Sequence, residues 1–306
     1  VSTAEKVKKT IIGYLGTEHQ IEVAVNPEFL REGRALEDFF NPDRIVIGVE
    51  SERAKDILFR IYKPLLNNIH LGNVSTNQSE VSPDMSGQRM VVTDLNTAEL
   101  IKHSSNAFLA MKVSFINMVS DLCEEAGADV NDVAIGLGMD PRIGPDFLRA
   151  GVGFGGYCLP KDLKAFIRIT QDLQVDASLL QSIELVNNSR VDRFVSKLSQ
   201  AVDGIMGRKM AVWGLAFKPG TDDVRDAPSI KIIRRLLEHG ACLNLYDPQA
   251  MGEFRESFQG PTENLEYMDT ADDAVVGTEA ILLLCEWDEF KVVDLKSLRG
   301  KMARPI

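Results

Sequence analysis

The residues best suited to covalent chemistry sit in one short stretch, Gly151-Val152-Gly153-Phe154-Gly155-Gly156-Tyr157-Cys158-Leu159-Pro160-Lys161-Asp162. A helix accepts proline at its first position, so Pro160 predicts a helix beginning there, with Cys158 just ahead of it. The partial positive charge of that N-terminus and the nearby Lys161 ammonium both favour thiolate over thiol. A cysteine so placed, with a lysine and an aspartate within four positions, is a candidate nucleophile. Two other clusters carry polar groups. Lys102 and Asn106 are four apart and share a helix face, which on its own reads as a solvated face. Asn26-Pro27-Glu28-Phe29-Leu30-Arg31-Glu32 reads as a loop at the end of a strand, where parallel α/β proteins bind ligands. Taken by itself, an acidic loop of this kind reads as surface.

Gly151-Val152-Gly153-Phe154-Gly155-Gly156 satisfies the pattern G-x-G-x-x-G. The dinucleotide fingerprint also needs a strand before it and an acidic residue about 20 positions on. Pro145 to Ala150 contains no β-branched run, and no strand-end acid follows at that distance. These glycines are expected instead to let backbone approach something bulky.

The elements that must position these groups follow from periodicity. Residues 1–15 predict a helix ending at Gly16, Ile21 to Val25 a short strand, Arg44 to Gly48 a second, Glu52 to Leu66 a helix, and Ile69 to Val74 another strand. Residues 75–92 are polar and predict a loop. From Asp94 to Gly127 an apolar stripe of Leu95, Leu100, Ala107, Phe108, Met111, Phe115, Met118 and Leu122 predicts one long helix of the kind that crosses domains or supports a subunit interface. Helices are predicted at Val130–Leu137, Lys161–Leu173 and Ala177–Val202. The chain then returns to alternation, with strand Met210–Gly214, helix Ser229–Gly240 and strands Cys242–Asp247 and Ala280–Cys285. The expected class is α/β: two Rossmann-like parallel-sheet domains, the first incomplete, joined by a long central helix and a helical middle domain. The expected boundaries are 1–92, 93–204 and 205–306.

Composition narrows the function classes. The chain has 306 residues, with 34 Lys and Arg against 45 Asp and Glu, a formal charge of −11. Non-specific nucleic-acid binding needs the opposite sign. No apolar run approaches the roughly 18 residues of a membrane span, and Val1 to Thr10 shows no apolar signal core. Cys123, Cys158, Cys242 and Cys285 form no C-x-x-C pair and the four histidines show no ligand spacing, so neither a metal site nor a disulfide framework is expected. Four such thiols fit a reducing compartment, and a cytoplasmic location is expected. The three Asn-x-Ser sequons, including Asn187-Asn188-Ser189, are then chance matches.

These clusters together resemble the UDP-glucose and GDP-mannose dehydrogenase family. The resemblance runs through Asn26 to Gly33, Asn41-Pro42-Asp43-Arg44, Glu99 to Lys102, Asn106-Ala107-Phe108, Gly153 to Asp162 and Gly214 to Arg225. Within the family, Phe217-Lys218, Asp223-Val224-Arg225 and Glu286 to Phe290 are most similar to the branch that takes UDP-glucose. The resemblance implies an NAD-dependent, four-electron oxidation of a hexose primary alcohol to a carboxylate, UDP-glucose to UDP-glucuronate. Cys158 would hold the aldehyde as a thiohemiacetal and then as a thioester. Lys102 would stabilise the oxyanion, Asn106 would hold substrate or a water, and Asp162 and Glu28 would serve thioester hydrolysis, the division between them being open. Phe29, Leu30, Arg149, Phe154, Gly155, Phe217 and Lys218 match substrate-contacting positions. Arg142 matches a residue lent to a neighbour's site in a homodimer built on the long helix. Glu32, Lys161 and Arg225 match positions facing NAD.

Against the family pattern, the opening strand and its glycine turn do not precede residue 1, and the last strand does not follow Ile306. A fragment that is inactive on its own is expected. The other readings are GDP-mannose or UDP-N-acetyl-hexosamine oxidation, a non-catalytic nucleotide-sugar-binding module, and a dimerisation scaffold.

Overall fold

A computed structural model describes residues 1–15, 21–67 and 90–305. The chain divides into two compact units, Val1–Asn106 and Ala107–Ile306.

The first unit holds α1 (Thr3–Leu15), α2 (Ala35–Phe40), β1 (Ile45–Gly48), α3 (Glu52–Asn67), β2 (Met90–Thr93) and the opening turns of α4 (Leu95–Ala126). β1 and β2 pair in parallel, from Ile45 opposite Met90 to Gly48 opposite Thr93. Ile45, Ile47 and Met90 form a small core closed by Leu58, Tyr62 and Leu66, the apolar stripe of α3. Glu99 of α4 accepts the free N–H groups of Thr3 and Ala4, an anion where a helix N-terminus favours one.

Three sequence expectations change in this unit. Ile21–Val25 is not a strand of the parallel sheet. Val25 alone bridges Gly48, and it does so antiparallel. Pro27 has no N–H to extend the ladder, so the chain leaves it. It runs back along β1: the Asn26 amide donates to the Val46 carbonyl at 2.8 Å, and Phe29 lies under Arg44, ahead of the strand. The loop 26–30 therefore flanks the amino end of β1, not the carboxyl end of a parallel strand. The predicted loop 75–92 also gives way, since Met90-Val91-Val92-Thr93 is β2, as its β-branched residues favour. Gly16, the strand expected at Ile69–Val74 and residues 75–89 lie outside the described residues.

The second unit continues from α4 through α5 (Val130–Gly138), α6 (Cys158–Asp172) and α7 (Ser178–Ala201). It then alternates: β3 (Lys209–Trp213), α8 (Pro228–Glu238), β4 (Cys242–Tyr246), α9 (Met251–Ser257), β5 (Leu265–Tyr267), α10 (Ala271–Val275), β6 (Ala280–Leu283), α11 (Asp288–Lys291) and α12 (Leu295–Lys301). The sheet has the order β5-β4-β3-β6 and every neighbouring pair is parallel. Its core is built on Met210, Val212, Leu215, Ile232, Ile233, Leu236, Leu243 and Leu245. At the carboxyl edge Asp247 is 2% exposed and accepts five hydrogen bonds, from the backbone of Leu215, Ala216, Gln249 and Ala250 and from the Trp287 indole. A strand-end acid that could have bound a ribose is spent holding its own turns. Buried beside Asp247, the Cys285 thiol is pushed well above its ordinary pKa, chiefly by desolvation.

The fold is thus α/β, with Rossmann-like parallel sheets and a helical middle. The apolar stripe that the sequence gives α4 is covered only in part within this chain. Its buried face within the second unit is small or polar, Ala107, Ala110, Ser114, Asn117 and Ser120, which lets α7 pack close enough for Ser114 to donate to the Ile183 carbonyl. The large residues Phe108, Phe115, Met118 and Leu122 stay exposed.

Candidate active site

The predicted site residues fall into two groups, one in each unit. In the first unit Lys102 is not a solvated lysine. Its side chain is 19% exposed, and its ammonium donates to the Glu28 carbonyl at 2.6 Å and pairs with the Glu28 carboxylate at 3.0 Å. The same carboxylate accepts the Leu30 N–H at 2.8 Å, closing the loop on itself. The Phe29 ring receives the Arg44 guanidinium at 3.8 Å and the Lys102 ammonium at 5.5 Å. Asn106, one turn along α4, is also buried, at 8% exposure. A mostly apolar cavity of about 420 Å³ opens beside Lys102, walled by Val7, Val23, Val25 and Pro27. Glu32 lies outside this cluster, exposed on a turn. An ammonium held by a carboxylate and a ring, at the wall of a cavity, is a fixed positive charge able to meet a developing oxyanion.

In the second unit the glycine loop delivers Cys158. The helix begins at Cys158 itself, with Tyr157 as its cap, so Pro160 occupies the third position and not the first. That shift costs no hydrogen bond, because the first four N–H groups of a helix have no partner within it. Cys158 is exposed, while Asp162, one turn on, is 2% exposed. The Asp162 carboxylate takes the Lys161 ammonium at 2.7 Å. That bond, helped by the charge of Asp162 and the nearness of Cys158, holds Lys161 above its usual pKa.

Backbone packing fixes the loop. A Cβ at Gly155 would stand 2.6 Å from the Asp226 carbonyl, and one at Gly156 would stand 2.7 Å from the Phe217 ring. Gly156 also has φ +77°. The expected bulky neighbour is thus Phe217, together with the turn entering α8. Two asparagines complete the hold. Asn187 of α7 accepts the Phe154 N–H at 2.8 Å and donates to the Phe154 carbonyl at 3.1 Å, and Asn117 of α4 accepts the Gly151 N–H at 2.8 Å. An Asn187 amide engaged in this way is no glycan acceptor. Sequence reading passed over both asparagines, yet a signal was there. Asn187 lies midway between the buried Ile183 and Val191, and Asn117 sits on the buried row of Ala110 and Ser114.

Tyr157 is flanked by two cations, Arg225 at 4.6 Å and Lys161 at 5.2 Å. Lys218 lies 5.4 Å over the Phe217 ring. Phe154, Gly155, Tyr157, Cys158, Lys161, Asp162, Phe217, Lys218 and Arg225 are thus brought into one neighbourhood of loop and turn. Arg149 is exposed on the approach to the loop. Arg142 pairs with Asp140 at 2.6 Å and its side chain is 87% exposed. Among the described residues no group of three or more metal-ligating side chains occurs, and no helix is long and apolar enough to cross a membrane.

Comparison with known proteins agrees along the chain. The models of the UDP-glucose/GDP-mannose dehydrogenase family match in order: the NAD binding domain over residues 1–66, the central domain over 96–189 and the UDP binding domain over 211–306. The UDP-glucose 6-dehydrogenase of Rickettsia bellii (strain RML369-C) is 42% identical over 298 residues, covering 97% of this chain and 64% of that protein. That of Rhizobium meliloti (strain 1021) is 41% identical over 312 residues, covering 100% of this chain and 65% of that protein. The chain therefore spans just under two thirds of the length of these relatives. The solved UDP-glucose dehydrogenase of Pyrobaculum islandicum superposes with a TM-score of 0.84 at 34% identity, over 99% of this chain and 67% of that one. Cys158, its glycine loop and the turn holding Phe217 and Arg225 thus stand within a frame shared end to end, and the chain belongs to the UDP-glucose/GDP-mannose dehydrogenase family.

Proposed function

We propose that this chain serves the NAD-dependent oxidation of UDP-glucose to UDP-glucuronate, with Cys158 as the nucleophile. The observation that carries the reading is an exposed thiol at the first position of a helix, beside the Lys161–Asp162 pair, on a loop whose backbone is fixed by Asn187 and Phe217. A flexible glycine loop would not hold a sulfur atom in one place. This one does.

The chemistry balances as one primary alcohol, one water and two NAD⁺ giving a carboxylate, two NADH and three protons. NAD⁺, when bound, supplies the acceptor for both hydrides. The exposed Tyr157 ring between two cations fits a planar anionic ligand of that kind, and Lys161 and Arg225, with Glu32 in the first unit, would hold it. After the first oxidation the Cys158 sulfur bonds the aldehyde carbon, and the carbonyl oxygen takes up a proton. The thiohemiacetal so formed cannot diffuse away, and loss of its hydroxyl proton together with the hydride left on that carbon, the second the substrate gives up, leaves a thioester. Water then adds, the carbon–sulfur bond breaks and the thiolate leaves. Lys102 stabilises the oxyanion and Asn106 holds substrate or water. The buried Asp162 and the Lys102-paired Glu28 provide the carboxylates for water activation.

Nucleotide-sugar binding falls to the Phe29–Leu30 backbone, Phe154, Gly155, Phe217 and the cations Lys218 and Arg149, which a diphosphate needs in a chain of net charge −11. The exposed row Phe108, Phe115, Met118 and Leu122 favours a second copy of the chain on α4, with Arg142 reaching its neighbour's site. The scattered free thiols favour the cytoplasm.

The test is a panel of UDP-glucose, GDP-mannose and UDP-N-acetyl-hexosamines with NAD⁺ on the full-length protein, counting NADH per acid formed. Two per UDP-glucuronate is expected. One NADH with an aldehyde product would sink the thioester route, and turnover of another sugar alone would move the substrate.

A further inference from the structure

The turn between Phe217 and Asp226 touches the cysteine loop at three successive residues, and a single carboxylate organises it. Asp223 has a side chain 7% exposed. It accepts the Arg225 backbone N–H at 2.8 Å, and it grips the Arg225 guanidinium through Nε at 2.9 Å and Nη2 at 2.8 Å. Its own carbonyl accepts the Phe217 N–H at 3.1 Å, and its N–H donates to the Thr221 hydroxyl at 3.1 Å. One residue therefore sets both arms of the turn. One arm puts the Phe217 ring against Gly156, and the other puts the Arg225 guanidinium over Tyr157, the residue before Cys158. The next residue, Asp226, takes φ +50°, rare outside glycine, and its carbonyl meets Gly155.

We infer that Asp223 is a positioning residue for Cys158, acting through Arg225 and Tyr157. An arginine on an exposed turn gives up rotamer freedom when fixed, and a buried bidentate carboxylate is what offsets this. With Asp223 in place, Arg225 is a directed cation over the ring of Tyr157, the residue before Cys158. Without it, Arg225 loses the two-pronged grip on its guanidinium. The inference rests on Cys158 as the reacting thiol, and its test is separable from the overall reaction.

The test is the rate of Cys158 alkylation by iodoacetamide at fixed neutral pH, read by peptide mass spectrometry on the full-length protein without nucleotide sugar. Wild type is compared with D223N, R225A and D223N/R225A. Loss of the guanidinium over Tyr157 releases the residue that leads into Cys158, so D223N and R225A should each react about fivefold more slowly. The double variant should be no slower than R225A. A carboxylate acting only as a nearby negative charge gives the opposite sign, since its removal would speed alkylation, and that result overturns the assignment. Additive losses in the double variant overturn it too, because they show Asp223 acting by another route. If D223N does not fold, R225A decides alone: a wild-type rate there removes the path through which Asp223 would work. Equal slowing in both variants supports the assignment whether or not the protein makes UDP-glucuronate.

Discussion

The two units hold their candidate residues by different means. In the first unit Lys102, Glu28 and Phe29 are arranged by side chains: an ion pair, a ring under two cations and a carboxylate folded onto its own loop, beside a parallel sheet that has two strands among the described residues and a small core. In the second unit the backbone around Cys158 is fixed by glycine contacts, by Asn187 and by a turn packed on a four-stranded sheet. Charges on long side chains adjust to a ligand, whereas a packed backbone does not. The difference teaches that the proposed nucleophile is pre-placed, while the groups proposed to meet developing charge are held by bonds a substrate can exchange.

Removing the pre-placed atom should have the largest effect. Cys158→Ala should lower UDP-glucuronate formation by at least about 10⁴-fold, as loss of a covalent nucleophile does. Chromatography of the sugar products checks it, and near-normal acid output would mean that the rigid loop serves binding alone. Next comes the ammonium of the softer region. Lys102→Met should lower kcat on the order of 10²- to 10³-fold, the range for one oxyanion partner. Its melting temperature should shift little, because the Glu28 partner is 54% exposed and a pair screened by solvent on one side is worth under about 1 kcal/mol. A large loss of stability with kcat preserved would make Lys102 a structural brace.

A smaller effect separates packed backbone from merely flexible backbone. Gly155→Ala brings a Cβ to 2.6 Å from the Asp226 carbonyl, whereas Gly151→Ala meets nothing within 4 Å. The first should cost about 1–3 kcal/mol of stability and the second under about 0.5 kcal/mol. Urea unfolding measures both. Equal effects would show that the loop is not held by close approach.

How much of this was legible beforehand follows the same division. Residue types named the chemistry: a cysteine before a proline, with lysine and aspartate after it, pointed to a nucleophile at a helix start, and the glycines pointed to a bulky neighbour. Periodicity named β3, β4 and β6 of the second unit's sheet to within about two residues, and missed the three-residue edge strand β5. What it missed depends on partners distant in sequence. Asp223 is an ordinary loop acid until Arg225 and Phe217 are seen on either side of Tyr157 and Gly156. Val25 read as a parallel strand because alternation carries no direction, and only the pairing with Gly48 reveals it as an antiparallel bridge. β2 was lost among polar neighbours because four residues give too short a pattern. The stripe on α4 does not reveal which of its residues face α7, because small and polar ones, Ala110, Ser114 and Asn117, make that side.

The smallest expected effect concerns the first unit's reliance on charge. Arg31 binds the Asp38 carboxylate through Nε and Nη2 while its backbone N–H donates to the same group, and this holds Asp38 down to about 2, chiefly through the side-chain bond. A carboxylate depressed in the folded state contributes stability that is present above its unfolded pKa of 3.8 and is lost as pH falls toward 2. The Arg31 side chain is 57% exposed, so solvent screens the pair and the contribution should stay under about 1 kcal/mol. Asp38→Asn should therefore be less stable than wild type in urea at pH 6, and the gap should close between pH 4 and 2. The glycine-held loop offers no such dependence on that carboxylate, so Cys158 alkylation should be indifferent to D38N at neutral pH. A D38N effect on Cys158 reactivity would show that the charge-built and backbone-built regions are not independent, and the contrast between them would have to be given up.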